Sequence, residues 1–176
     1  MTLIPENGFR QKRAQQLCAF LFRWNGATRF SYDKIAALLY LAERQCYGEH
    51  GIPLTYDQLQ NTFEGPSLSK TLEMVFKRDL EMVFKRHNPA ETMSEFSTEE
   101  IETIECAFEV YSTYTDAELL AHLKSLKEWQ YVREAPGAPI PLEKILEAVG
   151  FAPEEVVPQI DLILNSQVHA KSPVPA

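Results

Sequence analysis

The chain has 176 residues, 45% of them apolar and 24% charged, and a formal net charge of −8. That composition supplies the core of a single domain and excludes a largely disordered chain. The negative balance opposes nonspecific grip on a phosphate backbone and suits a basic partner.

From Arg10 to Trp24 the apolar residues Ala14, Leu17, Cys18, Leu21 and Trp24 recur at helical spacing, with Arg10, Lys12, Arg13 and Gln16 as the polar positions. Asn25-Gly26 supplies residue types that stop such a helix. Ser31 is the expected N-cap of a second helix running to about Gln45, apolar nearly all round from Ile35 to Ala42 and therefore central. Cys46-Tyr47-Gly48 is expected to end it. Gly51-Ile52-Pro53-Leu54 reads as an extended linker, because the residue before a proline is pushed away from helix. Thr55 is expected to cap a short helix through Phe63, Gly65-Pro66 to break the chain, and Ser67 to open the next helix.

The motif LEMVFKR occurs at 72–78 and again at 80–86, with Asp79 between the copies. An eight-residue step turns the second copy about 80° from the first, so one helix continuing to His87 would carry a broad apolar face of Leu72, Val75, Phe76, Leu80, Val83 and Phe84. Asn88-Pro89 marks a loop. Phe96-Ser97-x-x-Glu100 has the grammar of a capping box with a hydrophobic staple to Ile101, opening a helix to about Tyr114. Thr115 or Asp116 caps another, burying Leu119, Leu120, Leu123, Leu126 and Trp129. REAPGAPIP, 133–141, is a loop. Leu142–Val149 is a short helix, and Pro153 starts a last one that Pro158 kinks or confines to 159–165. No period-two run of strand length is evident. The expected fold is mainly α, a compact single domain of about seven helices over 1–165 with at most a small β element, followed by a flexible tail at 166–176.

Catalytic and metal motifs are missing from the sequence. The three cysteines, Cys18, Cys46 and Cys106, form no CxxC pair, which fits a reducing cytoplasm, and Cys18 and Cys106 read as core thiols. The four histidines are scattered. Glu118 and His122 share a helix face, and Glu99, Glu100, Glu102 and Glu105 cluster, so these are the two places where an enzyme's site would be sought. No cofactor is expected. The most basic helix is balanced by Glu73, Asp79 and Glu81, so no autonomous nucleic-acid binding is expected either. No run reaches the about 18–20 apolar residues of a membrane span, and the N-terminal segment lacks a secretion signal's apolar centre.

Several stretches together resemble the Panacea domain of SocA-like antitoxins. Lys34-Ile-Ala-Ala-Leu-Leu-Tyr-Leu-Ala-Glu-Arg44 resembles the family's first helix. Gly51-Ile-Pro-Leu-Thr-Tyr-Asp57 and Glu64-Gly65-Pro66 resemble its following turns. Phe96-Ser97-x-x-Glu100, Glu118-Leu119, Trp129, Pro139-Ile140 and Ile145-Leu146 resemble its later segments. Ala37, Glu43 and Lys124 depart from the usual lysine, aspartate and histidine, and the duplication stands where the family has a short β-containing stretch. The resemblance implies an antitoxin that neutralises a cognate protein toxin by direct binding. A proteolytic adaptor, or a regulatory scaffold from a phage or mobile element, is the alternative, with a protease as a further partner. Interfaces favour aromatic and arginine anchors. Arg44, Tyr47, Tyr56, Phe63 and Glu64, at expected helix ends and turns, are the candidate partner-binding residues, while Tyr40 and Trp129 read as core.

Overall fold

The computed structural model describes residues 1–24, 29–77 and 93–169. After a single 3-10 turn at Glu6–Gly8, the described elements in order are α1 (Gln11–Arg23), α2 (Tyr32–His50), β1 (Leu59–Thr62), β2 (Gly65–Leu68), α3 (Ser69–Phe76), α4 (Thr98–Tyr111), α5 (Asp116–Ser125), α6 (Lys127–Val132), α7 (Leu142–Ala148) and α8 (Pro153–His169). The fold is mainly α, with eight α-helices and one two-stranded sheet among the described residues.

α2 is the axis. Ser31 caps it by accepting from the Lys34 amide at 3.1 Å, and Leu38 to Ala42 are buried on every side. α1, α4, α5, α7 and β2 all pack on it, which is what an all-round apolar helix requires. The helix continues past Gln45 to His50. Gly51, at φ 71°, then closes it with its amide on the Tyr47 carbonyl at 3.0 Å. The positive φ favours glycine there, and a Cβ would also press on the end of the Gln159 side chain, 2.5 Å from its Nε2.

The local caps match their sequence signatures. Ser97 and Glu100 form a reciprocal capping box on α4, as do Thr115 and Glu118 on α5. Tyr40 is fully buried, and Trp129 is half-buried with its indole N–H donating to Asn61 Oδ1 at 2.7 Å. The expected long helix over 116–129 is instead two, because Leu126 adopts an extended conformation between α5 and α6. Pro158 does not confine the last helix. It stands in the second turn of α8, where it removes one backbone bond, and the helix continues to His169. Ser166 is tied to the body by Tyr56 Oη at 2.7 Å and Arg10 Nη2 at 3.1 Å, so the folded unit extends beyond 165. Residues 170–176 lie outside the described part.

The segment after Thr55 is the main correction. No helix forms from Thr55 to Phe63. Tyr56 sits at φ 55°, a left-handed conformation that is strained for a bulky side chain, and redirects the chain into β1. β1 and β2 pair antiparallel, with Leu59 opposite Leu68 and Thr62 opposite Gly65. Leu59 and Asn61 are buried while Gln60 and Thr62 are half-buried, an alternation too short to stand out from a run of four residues. The 133–141 loop lies along β1, with Gln60 bridging Pro139 and Ile140 donating to the Leu59 carbonyl at 2.7 Å. Ser67 belongs to β2, and α3 begins at Ser69. Only the first LEMVFKR copy, through Lys77, falls among the described residues. The expected continuation of this helix to His87 and the Asn88-Pro89 loop lie outside them.

A buried ion pair and a buried amide replace positions that read as solvent-facing. Arg13 is 8% exposed and donates from Nε to the Leu54 carbonyl and from Nη2 to Glu100, each at 2.5 Å, with its guanidinium 4.3 Å from the Phe96 ring centroid. Gln16, read as a polar surface position, is also buried and accepts from the Glu95 amide at 3.0 Å. Cys18 and Cys46 are buried thiols, whereas Cys106 is exposed rather than core, because it sits among exposed glutamates on the outer face of α4.

Beside this network Glu43 is fully buried and accepts from the Thr55 amide and hydroxyl at 3.2 and 3.3 Å. Burial pushes its carboxyl up to about 8, and the hydrogen bonds from Thr55 pull the other way. A carboxyl raised in the fold contributes stability that is present below its unfolded pKa and lost as pH rises through the folded value. His122, lowered by burial, acts in the opposite sense but only as pH falls through its titration. The Tm of the protein is therefore expected to fall between pH 7 and 8.5. Glu43→Gln is expected to flatten that slope and gain about 5 °C at pH 8.5, on the order of 1–2 kcal/mol, in a thermal-melt series. Parallel pH profiles for the two proteins would refute this.

Candidate functional site

The structure separates the five candidate residues. Phe63 and Glu64 form the two-residue turn between β1 and β2, and Phe63 is 81% exposed. Tyr47 is not at an exposed helix end. α2 runs on past it, it is fully buried, and its hydroxyl has no partner among the described residues. Tyr56 is only 3% exposed, because the bend that turns the chain into β1 buries its ring under the Arg10 guanidinium, 4.0 Å from the centroid. Arg44 faces inward and pairs with Glu128 at 2.6 Å, the side chain of which is completely buried and also accepts from Tyr40 Oη at 3.0 Å.

What the hairpin turn does border is a groove of about 410 Å³, walled by the first turns of α2, the hairpin, α3 and α5. Each wall has a local cause. Gly65, at φ 116°, lets the hairpin lie against α5: a Cβ there would come within 2.9 Å of Leu123 Cβ. α3 is held by Asp57, which is fully buried and accepts from the amides of Lys70 at 3.0 Å and Thr71 at 2.7 Å, capping a helix that has no capping side chain of its own. Burial pushes the Asp57 carboxyl up, and those amide bonds pull it back down. Tyr32 of α2 stacks on Phe76 of α3 with ring centroids 4.0 Å apart. Asn61 anchors the hairpin's other side, donating to the carbonyls of Val132 at 2.6 Å and Ala135 at 3.0 Å.

The floor is apolar, with Ala37, Pro66, Leu119, Leu120 and Leu123, and the lining residues include the acidic Asp33, Glu64 and Asp116. Lys34 also lines it, but its ammonium donates to the Tyr114 carbonyl at 2.7 Å and lies over the Phe30 ring. Ser67 lines the groove as well, and its buried hydroxyl has no hydrogen-bond partner among the described residues. Sequence reasoning reached Phe63 and Glu64 but not Asp57, Ser67, Asp33 or Asp116. For Asp57 the signal was present in the Gly-x-Pro-x-x-x-Asp stretch, but its capping partners lie 13 and 14 residues away.

The two places where an enzyme's site was sought are arranged differently. The Glu118 carboxylate accepts from the Thr115 amide at 2.7 Å, which with the Thr115 hydroxyl holds its pKa down. His122 packs against Tyr111, with ring centroids 5.1 Å apart, and burial lowers its pKa. Glu100 is committed to Arg13 and to the Ser97 amide. Among the described residues no group of three His, Cys, Asp or Glu side chains is placed to hold a metal ion, and no helix is long and apolar enough to cross a membrane.

The fold and its groove thus define a mainly helical single domain built around one central helix, with an acid-lined apolar cleft beside a short hairpin. The family model described as Antitoxin SocA-like, Panacea domain, matches residues 36–130, more than half of the chain, and the chain belongs to that family. The match runs from the first turns of α2 into α6 and so covers most of the groove. No curated protein and no solved structure gives a significant match.

Proposed function

We propose that this protein is a cytoplasmic antitoxin that neutralises a cognate protein toxin by direct, stoichiometric binding rather than by chemistry. Membership of the SocA-like antitoxin family carries this reading. The exposed Phe63 beside Glu64 at the hairpin turn supports a contact there, because a large aromatic side chain left 81% in water is a common interface anchor. Of the five candidate residues these two remain contact positions, whereas Arg44, Tyr47 and Tyr56 support the fold behind them.

Co-expression with the protein encoded by the adjacent open reading frame tests the proposal. The expected result is a neighbour that arrests growth alone, and a chain that restores growth and co-purifies with it at a fixed ratio. A neighbour that is toxic but neither bound nor neutralised would overturn it, as would a neighbour that is harmless.

A further inference from the structure

We infer that the groove is the docking site for a basic, amphipathic segment of the toxin, with apolar side chains seated on the floor and Lys or Arg side chains at the Asp33, Glu64 and Asp116 positions. The inference rests on the antitoxin reading and specifies the chemistry of the partner at that site.

The volume of about 410 Å³ is that of a binding cleft rather than a packing defect. Its floor is aliphatic, so the occupant must bring apolar surface. The charge is one-sided. Asp33, Glu64 and Asp116 are exposed, and none is in an ion pair with a described residue. Lys34, the cation in the lining, is turned to the Tyr114 carbonyl and the Phe30 ring. Carboxylates above low-dielectric walls focus a negative potential, which the net charge of −8 reinforces.

Asp33 and Asp116 lie in the first turns of α2 and α5, where an acidic residue is favourable without any partner. Glu64 lies on the hairpin turn, on no helix, and converges on the same cleft. Ser67 lines the same cleft, and its buried hydroxyl has no hydrogen-bond partner among the described residues. Phe76, in the lining, is 61% exposed, and Phe63, on the adjoining turn and 81% exposed, extends apolar surface beyond the cleft.

The test uses the full chain and the protein encoded by the adjacent open reading frame, with affinity measured at 50 and 300 mM salt. One variant is Asp33→Asn/Glu64→Gln/Asp116→Asn, which neutralises the rim. The other is Ala117→Trp, which adds bulk at an exposed lip and guards against a folding defect in the first. Expected are a tenfold or larger loss of affinity in both, and a shallower salt dependence in the neutralised variant. If the wild-type chain binds and both variants bind within twofold of it, the groove assignment is overturned while the antitoxin reading stands. If the variants change self-association in sedimentation and leave the partner's affinity unchanged, a second copy of this chain is the occupant and the assignment is equally overturned. Failure of the wild-type chain to bind overturns the antitoxin reading, and the docking assignment with it.

Discussion

Arg44→Ala is expected to destabilise the protein by about 3–5 kcal/mol, the usual consequence of stripping one partner from a buried ion pair. Glu128 is the reason. Its side chain is fully buried, and its Oε1 accepts from Arg44 Nε at 2.6 Å and from Tyr40 Oη at 3.0 Å. Removing the guanidinium leaves a carboxylate in the core with only a phenol to hold it. Arg44 Nη2 also reaches the Ala148 carbonyl at 3.4 Å, so the substitution loosens α7 from α2. Arg44→Lys would restore the charge but not the two-pronged geometry, and should recover part of the loss. Glu128→Gln in the Arg44→Ala background should recover more of it, because the stranded charge is then gone. Urea unfolding of the four proteins decides this. A loss under about 1 kcal/mol in the single alanine variant would show that water reaches Glu128 and that the pair is not structural.

Asp57→Ala is expected to lose about 2–4 kcal/mol and to weaken the proposed docking at the groove, although Asp57 does not line it. Its carboxylate accepts three backbone amides, those of Gln58 at 2.8 Å, Lys70 at 3.0 Å and Thr71 at 2.7 Å. The last two are the first free amides of α3, the helix whose Leu72 and Phe76 line the groove. Alanine would leave them unsatisfied, and the end of α3 would fray. Hydrogen exchange should locate the effect, with protection at Lys70 and Thr71 falling further than in α4. Asp57→Asn keeps an acceptor oxygen and should lie between the wild type and alanine. Uniform loss of protection over the whole chain would mean that Asp57 supports global stability and does not specifically shape the groove.

Much of the helical framework was legible in the sequence. Ser31, Ser97 and Thr115 each accept from an amide three residues on, and such bonds are encoded in a few consecutive residues. The central position of α2 followed from its all-round apolarity. Misreadings arose where a local signal was outvoted. Thr55 looks like a helix cap, but its amide and hydroxyl are bonded to Glu43, and Tyr56 turns left-handed directly after it. Arg13 and Gln16 occupy polar positions of an amphipathic pattern, yet they are drawn inward by the Leu54 carbonyl, Glu100 and the Glu95 amide. Tyr47 reads as a helix end, yet α2 runs on to His50 before Gly51 closes it.

The sequence by itself therefore determined the mainly helical class, most helix starts and the resemblance to SocA-like antitoxins. All of these depend on residue types at short, fixed spacings. Tertiary structure alone decided the hairpin, the remote cap at Asp57, the Arg44–Glu128 pair across 84 positions, and the convergence of Asp33, Glu64 and Asp116 on one cleft. The physical reason is that a hydrogen bond within one helical turn has its partner chosen by the chain itself. A buried charge, or a groove between four elements, has its partners chosen only when those elements collapse onto α2 and exclude water.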